Sequence, residues 1–242
     1  MKPSFNTKSR SMALCLLALS CLLLASAAWA DDISTVCYGL SKSPVRFIYL
    51  HGWDDPDVGP HERENRRMIE KIATVHGWGV AVVRGRSRCN KGRSQCWTMG
   101  SPKEVQENWN LILKEAQRCF STEGKLGTVG FSNGGYLIAA FVTNCITPQP
   151  AWGITFGSAA SGTLRTPPGS SCFPLRIVAG QQDSIYKKAQ AFATKVKKNG
   201  GDVEFVSHDR GHLIDEKILT DLIRQLTQTQ KRAAEPTNRA LD

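Results

Sequence analysis

The chain has 242 residues, a length that suits one domain, with 41% apolar and 21% charged residues. That balance belongs to a globular protein with a real core, so no metal is needed to hold it together. The formal charge of +10 comes with no nucleic-acid-binding motif or basic helix pattern, which sets that class of partner aside.

In chain order, the first segment reads as a leader. Lys2, Lys8 and Arg10 are followed by an apolar stretch from Met12 to about Ala25 and by Ala28-Trp29-Ala30. A positive start, a short apolar run and a small-x-small end make a secretory signal peptide cleaved after Ala30. The stretch is too short for a membrane anchor, and no later segment is long enough to span a bilayer, so no stable membrane span is expected after the leader leaves. The remaining chain carries 28 Lys+Arg against 21 Asp+Glu, a net of +7, and is expected to be secreted or periplasmic. Its six cysteines are Cys37, Cys89, Cys96, Cys119, Cys145 and Cys172. An even count in an exported chain suggests disulfides. Cys89 with Cys96 is the best single pairing, because it closes a short Gly-containing loop; the others stay open. The cysteine spacing is not that of a zinc site.

Residues 31–44 show no long periodic element. Residues 45–50 (VRFIYL) form a buried strand ending at His51-Gly52. A helix is expected over 60–75, a second strand over 80–83, and a loop over 84–100. Ser101-Pro102-Lys103-Glu104 starts a helix running to about 120: Ser caps, Pro takes the first position and Glu reaches back. A third strand at 126–131 leads into a helix over 133–145. Strands follow at 152–156 and 175–179, then a helix over 184–198 stopped by Asn199-Gly200-Gly201. A sixth strand covers 203–206, a last helix 213–228, and residues 230–242 read as a flexible tail. Residues 31–229 thus form one domain. Alternating strands and helices mean a mostly parallel sheet of about six strands, covered on both faces.

The strongest chemical signal is Gly130-Phe131-Ser132-Asn133-Gly134. A buried strand enters this G-x-S-x-G run and a helix leaves it, which sets Ser132 on a sharp turn with its hydroxyl clear of the sheet. A serine hydroxyl needs a base to take its proton. His212 follows Gly211 after the last strand and is the first choice; His208, at the strand end, is the runner-up. The base needs an acid to orient it. Asp183 follows the fifth strand and so stands on the same sheet edge as Ser132. Asp209 and Asp215 lie too near His212 in sequence to be preferred. Backbone amides of Trp53 and Asn133 are the expected oxyanion donors, and the Trp53 side chain is expected to wall the pocket. No metal and no cofactor is implied.

From about residue 45 to 228 the chain resembles the α/β-hydrolase superfamily. The resemblance rests on the His51-Gly52 turn, the Ser132 elbow, the Asp183 loop and the His212 loop, in the family's order of Ser, Asp, His. It implies an α/β-hydrolase fold and acyl-transfer hydrolysis. Two departures stand out. Little chain precedes Val45, so the antiparallel strands that usually begin the fold are mostly missing. About eighteen residues separate the strands at Trp152 and Leu175, too few for a lid domain. Small secreted feruloyl esterases and polyhydroxybutyrate depolymerases are similar in outline. The Ser132-Asn133-Gly134-Gly135-Tyr136 run also resembles prolyl-oligopeptidase-type peptidases.

The loop with Arg84, Arg86, Arg88, Lys91 and Arg93 beside Cys89 has two readings: a solvated loop, or a site where Arg86 and Arg88 recognise a negative group on the substrate. The expected partner is a small or polymeric ester, with no nucleic acid. A serine peptidase and a non-catalytic hydrolase-like binding protein of the envelope are the alternatives.

Overall fold

The structure is a computed structural model, and it describes residues 35–53, 61–89, 91–92, 94–160 and 172–234. The expected leader at 1–30 and the tail beyond residue 234 lie outside the described residues.

Seven strands form the main sheet: β1 (Val36–Tyr38), β2 (Arg46–Leu50), β3 (Gly79–Val83), β6 (Gly127–Phe131), β7 (Trp152–Phe156), β8 (Leu175–Gly180) and β9 (Val203–His208). Their spatial order is β1-β3-β2-β6-β7-β8-β9. All neighbours run parallel except β1, which pairs antiparallel with β3 through Cys37 opposite Ala81. The strands after β1 are short runs of β-branched and aromatic residues. That composition suits a parallel sheet buried on both faces.

The helices are α1 (His61–His76), α2 (Pro102–Ala116), α3 (Asn133–Asn144), α4 (Tyr186–Lys198) and α5 (Glu216–Ala234). Side chains alternate between the two faces of the sheet with period two. Phe47, Tyr49, Val80, Val82, Ile154 and Val178 pack under α1 and α5, while Ile48, Leu50, Ala81, Val83, Ile177 and Ala179 pack under α2, α3 and α4. On α5 the buried apolar residues are Leu219, Leu222, Ile223 and Leu226, the i, i+3, i+4, i+7 stripe of a docked amphipathic helix. Each such side chain contributes roughly 1.5–3 kcal/mol when fully buried.

The α/β-hydrolase fold and the six expected strands are present, with differences at the margins. β1 is a seventh strand that was not expected: three residues are too few for a periodic signal. It is held at the edge by β3 and by the Cys37–Cys119 pair, Cα atoms 5.3 Å apart. The expected loop at 84–100 contains a small hairpin, β4 (Ser87–Cys89) with β5 (Ser94–Cys96). It is closed by Cys89–Cys96, and Cys145–Cys172 makes a third pair. At α2, Ser101 Oγ accepts the Glu104 amide as expected, but the Glu104 carboxylate reaches one residue further back, to the Gly100 amide at 2.6 Å. The last helix begins at Glu216 and continues to Ala234, so the first residues of the expected tail are helical.

Candidate active site

Because β2, β6, β7, β8 and β9 are parallel, their carboxyl ends share one edge. The chain leaves β2 for β3 on one side and later returns to β6 on the other, so the sheet's topological switch lies between β2 and β6. Open α/β sheets bind ligands at such a point. Here it is flanked by Gly52, after β2, and Ser132, after β6.

Ser132 has φ 47° and ψ −114°, a conformation that costs a non-glycine residue of order 1–3 kcal/mol. Two backbone hydrogen bonds hold it there: the Ser132 amide donates to Phe156 O at 2.8 Å, and Ser132 O accepts the Tyr136 amide at 2.9 Å. The flanking glycines are needed for close approach. A Cβ on Gly130 would stand 2.6 Å from the Gly134 carbonyl, and one on Gly134 would stand 2.6 Å from the His51 carbonyl oxygen. Neither is a separation that real atoms tolerate.

In the segments that follow β8 and β9, Asp183 and His212 meet. His212 Nδ1 lies 2.6 Å from Asp183 Oδ2. The Asp183 side chain is 2% exposed, and its other oxygen accepts the Ile185 amide at 3.1 Å. A carboxylate has no proton to give, so His212 donates from Nδ1 and keeps Nε2 as an acceptor. The imidazole rests against Phe131, the residue before Ser132, at 4.8 Å between ring centroids. Gly157, after β7, passes beneath the pair: it has φ +57°, and a Cβ there would stand 2.6 Å from His212 Cε1. Among the described residues no hydrogen bond joins the Ser132 hydroxyl to His212. Such contacts are often long in unliganded hydrolases.

His208, the other histidine considered, accepts the Arg210 amide at Nδ1 (3.2 Å), and Asp183 engages His212 instead. Asp215 caps the last helix through the Ile218 amide. Trp53 is 55% exposed beside Gly52. Asn133 opens α3, where first-turn amides have no partner inside the helix. Arg86 and Arg88 are both exposed. The Arg86 guanidinium lies 3.8 Å from Glu115, and Arg88 stands opposite Gln95 in the hairpin. Arg93 lies outside the described residues.

Several contributors carried no sequence signal. Glu62, buried in the first turn of α1, accepts the Gly52 amide at 3.2 Å and the Tyr49 hydroxyl at 3.1 Å. Burial, and then the Glu62 charge, push the Tyr49 hydroxyl well above the usual tyrosine value. Burial, and then the Asp183 charge, raise Tyr136. An acidic residue near a helix start is too common to single out Glu62. Gly157 was legible only as a glycine following a strand. Among the described residues, no group of three or more His, Cys, Asp or Glu is placed to hold a metal ion, and no helix is long and apolar enough to cross a membrane.

Residues 16–218 match the family model described as serine hydrolase (FSH1). The chain belongs to the FSH1 serine hydrolase family. No curated protein matches it in sequence. Among solved structures, this hydrolase is similar to acyl-protein thioesterase 2 of Zea mays, with a TM-score of 0.62 and 17% identity over 81% of this chain and 98% of that one. It is also similar to a Bacillus cereus carboxylesterase (TM-score 0.57, 16% identity, 82% of this chain and 95% of that one). A carboxylesterase of Mesorhizobium loti gives 0.56 and 18%, over 76% of this chain and 90% of that one. At these identities the likeness is one of fold. The family membership makes the hydrolase an enzyme, with an esterase-type fold around the Ser132 edge.

Proposed function

We propose that the chain is an exported carboxylic-ester hydrolase that works through an acyl-enzyme on Ser132. The observation that carries the reading is the 2.6 Å contact between His212 Nδ1 and Asp183 Oδ2 on the same sheet edge as the Ser132 elbow. His212 Nε2 takes the proton of the Ser132 hydroxyl as Oγ attacks the acyl carbon. The amides of Trp53 and Asn133 receive the oxyanion. The imidazolium, held by Asp183, protonates the leaving alkoxide. Water then attacks the acyl-enzyme with His212 again as base, and Ser132 is released. No metal or cofactor takes part in these steps.

Export is supported by the leader-like first thirty residues and by three cysteine pairs within bonding reach. N-terminal sequencing of the exported protein should begin at Asp31. Arg86 and Arg88 are proposed to bind a negative group on the substrate. Replacing both with Ser should raise KM for anionic esters alone, and an equal rise for neutral esters would remove that role.

The reaction is tested by incubating the purified protein and a Ser132→Ala variant with a fluorophosphonate and with nitrophenyl esters, thioesters and peptide amides. The reading predicts labelling and ester turnover that vanish in the variant. Faster amide than ester turnover would make it a peptidase. A folded, oxidised protein that neither labels nor turns over would be a binding protein instead.

A further inference from the structure

The hairpin loop after β3 finds a use at the oxyanion side of the site. Trp97 follows β5 directly and is 2% exposed. Its backbone is clamped by the side chain of Asn133: the Trp97 amide donates to Asn133 Oδ1 at 2.6 Å, and Asn133 Nδ2 donates to Trp97 O at 3.2 Å. Its indole Nε1 donates to the His51 carbonyl at 3.1 Å, and its ring lies 5.3 Å from the His51 ring. One residue therefore touches both segments that carry the proposed oxyanion amides.

The consequence for Trp53 follows from peptide planarity. In a trans peptide the C=O and the next N–H point in opposite directions. The His51–Gly52 peptide is held at both ends, its carbonyl by the Trp97 indole and its N–H by Glu62. His51 accepts the Gly85 amide at Nε2 (2.8 Å), so its proton sits on Nδ1 and is donated to the Gly52 carbonyl. With that carbonyl turned toward the His51 ring, the Trp53 N–H must point the other way. Among the described residues nothing accepts it. The amide of Asn133 is fixed by α3 and by the elbow.

We propose that Trp97 is a positioning residue that sets the separation and aim of the two oxyanion donors, with the Cys89–Cys96 hairpin as its anchor. This rests on the reading of Trp53 and Asn133 as those donors. Trp97 touches no reacting atom; it acts through His51 and Asn133. A dedicated brace matters because a donor displaced by a fraction of an ångström loses much of its hold on the transition state.

The test uses Trp97→Phe, which removes the indole N–H and leaves the Asn133 clamp, and Asn133→Ala, which removes the clamp and leaves the Asn133 amide. Active sites are counted by fluorophosphonate stoichiometry, and kcat for a nitrophenyl ester is expressed per counted site, so that misfolded protein does not enter. Each variant should lose about tenfold in kcat per site with KM changed less than about twofold, and the double variant should lose little more than either alone. A purely structural role would lower the melting temperature and the number of sites but leave kcat per site unchanged; that result, or strictly multiplicative losses, overturns the proposal. A wild-type protein that fails to label overturns the hydrolase reading and this inference with it, whereas a labelling wild type with an unaffected Trp97→Phe overturns the inference alone.

Discussion

Asp183 Oδ2 stands 2.6 Å from His212 Nδ1, and the second oxygen of the same carboxylate is occupied by the Ile185 amide. The carboxylate is therefore held in place from both oxygens, as the proposed role of orienting His212 requires. Exchanging Asp183 for Asn keeps the size but puts an amide where the imidazole must donate, which favours the wrong tautomer. Asp183→Asn should lower kcat by on the order of 10⁴-fold with little change in fold. His212→Ala should lose at least as much. His208→Ala should stay within about twofold, since among the described residues its ring serves the Arg210 amide alone. Steady-state ester kinetics on the three variants decides; a large loss at His208 with a small one at His212 would reassign the base.

Gly157 lies under the His212 ring with φ +57°. An alanine there would strain the backbone, at about 1–2 kcal/mol, and its Cβ, 2.6 Å from His212 Cε1, would push the imidazole away. Gly157→Ala should lower kcat at least about tenfold while circular dichroism stays native, because small displacements of a general base are costly. Unchanged kinetics would show that the ring has room to move.

The three cysteine pairs close loops of very different length, with sequence separations of 82, 27 and 7 for Cys37–Cys119, Cys145–Cys172 and Cys89–Cys96. If cross-links act mainly by restricting the unfolded chain, double Ser variants should lose about 4.5, about 3.5 and about 2.5 kcal/mol in that order. Urea unfolding measures each. Losing Cys37–Cys119 also frees edge strand β1, so that variant should show the largest shift. A reversed order would mean that native-state contacts, not loop closure, dominate.

Tyr49 gives the protein an alkaline limit. Burial and Glu62 raise its hydroxyl well above the usual value, so the folded state favours the protonated phenol. The stability this contributes is present below the unfolded tyrosine value of about 10 and is lost as pH rises beyond it. Tyr49→Phe should be less stable than wild type at pH 8, having lost the bond to Glu62, but should lose stability less steeply above pH 10. Urea unfolding at stepped alkaline pH checks this, and identical slopes for the two proteins would rule it out.

Local chemistry determined much of this protein. The apolar runs at β2, β3, β6, β7 and β8 specify buried parallel strands because few other structures bury both sides of so short a segment. The glycines around Ser132 specify an elbow because side chains there would collide with the β2 carboxyl end. The Ser101 cap placed the start of α2, at Pro102, though the helix ends at Ala116 and not near residue 120. Other features were decided only by tertiary structure. β1 exists because β3 offers it an edge. The contact between His212 and Asp183 depends on the path of the loop after β9, since His208 ends that strand and His212 lies four residues further on. Glu62, Gly157 and Trp97 matter through contacts with residues 10 to 55 positions away, such as Gly52, His51, Asn133 and His212. No periodicity or spacing along the chain encodes such meetings, because they depend on how the strands are ordered in the sheet.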